Sequence, residues 1–245
     1  MTQLETHFAN LRLLLASDID PKVAELCRAE LEHLGDCLAP WGRFLAPVTV
    51  ATVASMQQLA RASSAPVDGL LSAVAETQRV TLLCPDAWIN PPSRLALRQT
   101  LAHELAHCLL FQRCAPPGRE PPVALPTWFR EGMAVLASEG APTAGLWRRL
   151  DGRGDLHALA GADASLVGQD ARTCYDLAHL LFFRWHDTFG ARRLGSLSRQ
   201  MRAGHPFETA FRVACKLPVE IWLAATIAQV RQGLTDDATL SRSQT

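Results

Sequence analysis

The chain has 245 residues with 24 basic and 24 acidic side chains, so its formal net charge is zero, and no basic patch stands out along it. That balance makes nucleic acid a poor expected partner. A hydrophobic share of 48% is enough to bury a core, yet no run of about twenty apolar residues exists to span a membrane.

The first element in chain order is a strand over 7–15, "HFANLRLLL". Asp20 and Pro21 then open a helix, with Asp20 as N-cap and Pro21 at the first helical position. Leu26, Leu31, Leu34 and Leu38 give that helix one apolar stripe, and Gly35 or Pro40 marks its end. The β-branched run 47–53 reads as a strand, followed by a short helix near 55–62 and strands at 69–75 and 78–83. From there the chain reads as helical. One helix covers 94–113 with Ser93 as N-cap. A proline-rich connection over 114–126 cannot be helical. Thr127 caps a helix over 128–138. Residues 140–170 are irregular, with a short helix at 146–150. Helices follow at 171–188, ending at Gly190, and at 191–203, 206–215 and 218–232. The polar end, 234–245, reads as a disordered tail. Strands first and helices later make the fold class α+β, with a small mixed sheet in an N-terminal portion, 1–92, and a helical portion, 93–233. The two are expected to form one continuous catalytic domain.

Cys27, Cys37, Cys84, Cys108, Cys114, Cys174 and Cys215 are odd in number, scattered, and form no CxxC pair. A disulfide framework or a cysteine zinc site is therefore not expected, and a reducing compartment is. The opening residues lack the pattern of a secretory signal, because Glu5 comes early and Arg12 interrupts the apolar run. A cytoplasmic protein without a membrane partner is the expectation.

The stretch "LAHELAHCLL", residues 101–110, carries the chemistry. Positions four apart lie on one face of a helix, so His103 and His107 can point both imidazoles at one metal ion. Glu104 sits about 100° round the helix from His103, within reach of a water on that metal. Zinc lowers the pKa of such a water to about 7, and a carboxylate beside it takes the proton. A catalytic zinc usually has three protein ligands and one open position. Glu131, in "LPTWFREGMAVLAS" (125–138), is a candidate for the third. The prolines before it can turn its helix back across the first. Glu131 also fits a simpler role, complementing the positive end of its helix.

"HELAH", then the glutamate of "PTWFREG" 24 residues after His107, then "CYDLAHLLFFRWHDTFG", resembles the gluzincin metallopeptidases, and most closely the peptidase MA-like proteins. The likeness covers roughly residues 5–232 and is most specific over 95–190. It implies a zincin-like fold, one Zn2+ per chain held by His103, His107 and Glu131, and Glu104 as catalytic base. It further implies a peptide or protein substrate, hydrolysed by a zinc-bound water that Glu104 activates. The family has a tyrosine where Tyr175 stands, so Tyr175 is the candidate donor to the oxyanion, with His179 one turn on as its rival. By the same analogy "RVTLLCP" (79–85) is the edge along which an extended substrate lies. Some gluzincins have an aspartate one turn after the ligand glutamate. Here that place holds Val135, and Glu139 or Asp176 could substitute. Cys108 points away from the metal and reads as core. Gly132 reads as the place where the 94–113 and 128–138 helices approach closely. The alternative function is a catalytically inactive zinc-binding or protein-interaction module on the same fold.

Overall fold

A computed structural model describes residues 4–8, 11–62, 72–115, 125–150, 156, 160 and 171–242. The fold is α+β, and the chain divides into two compact units, Met1–Val123 and Ala124–Thr245.

The first unit is built on a five-stranded sheet. Its strands are β1 (Leu4–Phe8), β2 (Leu11–Leu15), β3 (Val48–Val53), β4 (Ala73–Ala75) and β5 (Arg79–Leu83), in the order β1-β2-β3-β5-β4. The two ends are antiparallel, β1 on β2 and β4 on β5, while β2, β3 and β5 run parallel. The sequence reading of 7–15 as one strand is corrected here. The run reverses on itself, with Phe8 opposite Leu11, so it supplies two strands in place of one. Apolar periodicity cannot distinguish a strand from a tight hairpin of the same residues. Part of the 69–75 strand and most of the proline-rich connection lie outside the described residues.

Val80, Thr81, Leu82 and Leu83 are all buried, and successive residues of a strand face opposite sides, so β5 is covered on both faces. Its neighbours there are α3 (Met56–Ala62) and α4 (Arg94–Cys114). The helix opened by Asp20 is two helices, α1 (Pro21–Ala29) and α2 (Leu31–Leu38). Asp20 caps α1 as expected, its Oδ1 accepting from the N–H of Lys22 at 2.8 Å and of Val23 at 3.3 Å. Glu30 stands at the break, and its carboxylate pairs with Arg94 and Arg98 on α4.

Gln112, near the end of α4, is buried with its amide fully used. Its Oε1 accepts from the N–H of Leu45 and Ala46, at 2.7 and 3.0 Å. Its Nε2 donates to the carbonyls of Ala46 and Thr77, at 3.2 and 2.9 Å. One side chain thereby fixes α4 to two loops of the sheet.

The second unit is helical: α5 (Thr127–Glu139), α6 (Ala144–Leu150), α7 (Ala171–Phe189), α8 (Ala191–Arg202), α9 (Phe207–Cys215) and α10 (Val219–Arg242). Its centre is aromatic. Phe129 of α5 meets Phe182, Trp185 and Phe207, each with ring centroids 5.1 Å away, and Trp128 stacks on Trp222 at 5.0 Å. Thr127 is the first helical residue of α5 and not its cap; Pro126 caps through its carbonyl, which accepts from Phe129 and Arg130. Gly190, at φ 71°, ends α7 where the sequence places the stop. The last helix continues to Arg242, past 232 and into the segment read as a tail. After Gly233 that segment has no glycine or proline to stop a helix. No single helix among the described residues is long and apolar enough to cross a membrane.

Candidate metal centre

α4 carries the histidine pair of the first unit. Ser93 Oγ accepts from the N–H of Ala96 at 3.1 Å and starts the helix, as its sequence indicates. His103 is half-buried, while Glu104 and His107 are buried. The Nε2 atoms of His103 and His107 lie 3.1 Å apart, with the rings nearly perpendicular at 85°. His107 is steadied by Phe111 one turn on, the rings stacked at 5.8 Å and 11°.

The donor set fits zinc. With Zn–N bonds of about 2.0–2.1 Å, two imidazole nitrogens on one tetrahedral ion stand about 3.3 Å apart. The observed 3.1 Å is within the adjustment a side-chain torsion allows. Two unionised imidazoles can also share one hydrogen bond at that distance, since one ring nitrogen donates and the other accepts. The separation suits either a shared metal ion or a direct hydrogen bond between the two rings.

Cys108, next in sequence, is fully buried and turned to the sheet, its thiol donating to the Arg79 carbonyl at 3.6 Å. Burial, and then the nearby Glu104 carboxylate, push that thiol well above its ordinary pKa. It remains an S–H packed in the core.

In the second unit, Glu131 lies in the first turns of α5 and is 5% exposed. The Arg130 guanidinium donates to its Oε1 at 2.9 Å, so the carboxylate is held beside a fixed positive charge. Val135, one turn on, is buried.

Tyr175 is half-buried on α7. His179, one turn along, is 3% exposed, and its Nε2–H donates to the Gly140 carbonyl at 2.7 Å. Burial lowers its pKa, the Gly140 hydrogen bond partly opposing this. That hydrogen bond ties the end of α5 to α7. Asp176 is buried and answers two arginines. Arg149 of α6 meets it through two nitrogens at 2.6 and 2.9 Å, and Arg172 lies at 3.2 Å. Glu139 is exposed. Arg172 stands four residues before Asp176 on the same helix, a spacing the sequence offers. Arg149 has no sequence signature, because a salt bridge between two helices leaves no spacing pattern to read.

Gly132 corrects one expectation. The close approach it permits is between α5 and α7: a Cβ there would stand 2.2 Å from the Ala178 carbonyl oxygen and 2.5 Å from Phe182 Cβ. Its role lies inside the second unit.

No family model matches the chain, and no curated protein does. Solved structures similar to it include two zinc metallopeptidases. One is a crystal structure of a mutant M1 zinc metallopeptidase from Deinococcus radiodurans, with a TM-score of 0.48 and 17% identity, covering 94% of this chain and 49% of that one. The other is a mutant two-domain M1 zinc metallopeptidase bound to L-arginine, with a TM-score of 0.45 and 15% identity, covering 96% of this chain and 50% of that one. The chain spans about half the length of both.

Proposed function

We propose that the protein is a zinc-dependent peptidase in which His103, His107 and Glu131 hold the metal, Glu104 is the catalytic base and Tyr175 steadies the oxyanion. The observation that carries this reading is the approach of the two Nε2 atoms to 3.1 Å on a buried helix, with a carboxylate one residue along from the first of them. Two imidazoles and one carboxylate are a donor set that a catalytic zinc commonly takes.

When bound, zinc supplies a Lewis acid that makes a water nucleophilic near neutral pH and polarises a carbonyl. The chain's own residues do the rest. His103 and His107 come preset to the spacing of two ligands, so little torsional freedom is lost on loading. Glu131 would add a negative charge to the donor set. Glu104 is one residue from His103 and therefore turned away from direct ligation. It accepts a proton from the attacking water and delivers it to the leaving amine nitrogen. The Tyr175 hydroxyl donates to the oxygen on which negative charge develops. The substrate class is a peptide or a protein segment.

Zinc per chain, measured by elemental analysis on wild type and Glu131→Ala side by side, tests the ligand set. About one zinc in wild type and much less in the variant is expected. Glu104→Gln should keep the zinc and lose about 100-fold or more of peptide hydrolysis. A wild type that loads zinc yet cuts nothing in a broad peptide library would leave a zinc-binding module. A wild type that takes up no zinc overturns the reading.

A further inference from the structure

The chain is neutral as a whole, but its charge is not evenly spread. Residues 191–216 hold six cations, Arg192, Arg193, Arg199, Arg202, Arg212 and Lys216, against one acid, Glu208. All but the half-buried Arg202 are exposed. None of the six forms an ion pair with any described residue. This corrects the view from the sequence that no basic patch stands out. Averaging over the chain hid a local excess of five positive charges on two adjacent helices, α8 and α9, which pack against each other.

We infer that this α8–α9 surface is a docking site for an acidic polypeptide segment. Five of the six cations are arginine, whose planar fork pairs with a carboxylate through two hydrogen bonds. Arg192, Arg199 and Arg202 share one side of α8 and span about 15 Å along it, the reach of four or five residues of extended chain. Two exposed aliphatic side chains stand on either side of Lys216 in sequence, Val213 at 39% and Ile221 at 60%. A nucleic acid is the poorer fit. The phenylalanines of the segment, Phe207 and Phe211, are buried and leave His205 as its one exposed ring, so successive bases have no run of aromatics to stack on. A bilayer is also the poorer fit, because Leu194, Leu197 and Met201 are turned inward and leave α8 nothing to insert.

The inference does not rest on the peptidase reading. The test uses the full chain carrying Glu104→Gln, so that the probe stays intact whichever way that reading falls. Binding of a short fluorescein-labelled peptide of alternating glutamate and glycine is followed by anisotropy. Saturable binding is expected at about 50 mM salt, weakening strongly by about 300 mM. The triple variant Arg192→Glu, Arg199→Glu, Arg212→Glu should bind about tenfold or more weakly. A matched triple in the first unit, Arg28→Glu, Arg43→Glu, Arg61→Glu, should bind as before. If the first triple loses its circular dichroism signal, the glutamine versions of the same three changes replace it. Absence of binding at low salt, or equal loss in both triples, overturns the inference. So does tighter binding to a single-stranded DNA oligomer or to phosphatidylserine vesicles than to the peptide.

Discussion

A Cβ placed on Gly132 would lie 2.2 Å from the carbonyl oxygen of Ala178. That oxygen belongs to the backbone of α7, so no side-chain rotation relieves the clash, and Phe182 Cβ closes the other side at 2.5 Å. Gly132→Ala must push α5 and α7 apart across the aromatic centre of the second unit. Overpacking of this kind costs about 1–3 kcal/mol and can exceed it, and here the gain in helix propensity, about 1 kcal/mol, falls short of it. Urea unfolding should show a clear loss of stability for Gly132→Ala. A variant as stable as wild type would mean that the helices are further apart than described.

Asp176 is 3% exposed, whereas its partners Arg149 and Arg172 are 46% and 64% exposed. The cost of removing a partner should follow that asymmetry, because the charge left behind is either buried or free to rehydrate. Arg149→Ala removes the bidentate pair and strands a buried carboxylate. It should cost about 1–2 kcal/mol, the lower part of the range for charged hydrogen bonds, since the guanidinium is half in solvent. Arg172→Ala should cost about 0.5 kcal/mol or less. The two unfolding midpoints measured together decide it, and an equal loss would contradict the ranking.

His179 should make stability depend on pH. Its folded-state pKa is lowered from 6.5, chiefly by burial. Above about 6.5 the ring is neutral folded or unfolded and contributes no slope. Below that, the unfolded chain takes up the proton first, so stability falls as pH drops toward the folded pKa. The groups acting on the ring are Glu139, Asp176 and Arg172, with the Gly140 carbonyl as hydrogen-bond partner. His179→Gln keeps a donor for that carbonyl and removes the titration. The gap in unfolding free energy between wild type and variant should therefore narrow from about pH 7.5 to about pH 5. A constant gap would show that His179 does not titrate in this window.

The parts of the fold that sequence revealed are those fixed by local chemistry. Asp20, Ser93 and Gly190 mark helix ends because caps and left-handed stops involve neighbours in sequence. His103 and His107 were legible for the same reason, since a four-residue spacing is itself a geometry. What stayed hidden depends on distant partners. The hairpin within 4–15 and the break at Glu30 interrupt runs whose apolar pattern continues unchanged. The role of Gly132 needed the position of α7, and the pairing of Asp176 with Arg149 needed that of α6. The cationic surface was missed for another reason: net charge is a sum, and a sum carries no position.

Metal addition should separate ligand from base. A ligand that binds only the folded state adds about 2.7 kcal/mol at a hundredfold excess over its dissociation constant. For a chain of this size that is a rise of about 5–10 °C in melting temperature. Zinc should produce such a rise in wild type, and a chelator should reverse it. His103→Ala and Glu131→Ala should abolish it, because each removes a proposed donor. Glu104→Gln should retain it in full, because the proposed role of Glu104 is to move a proton and not to hold the ion. If Glu131→Ala kept the rise while Glu104→Gln lost it, the two carboxylates would have exchanged roles. The mechanism proposed above would then fail even though a metal is bound.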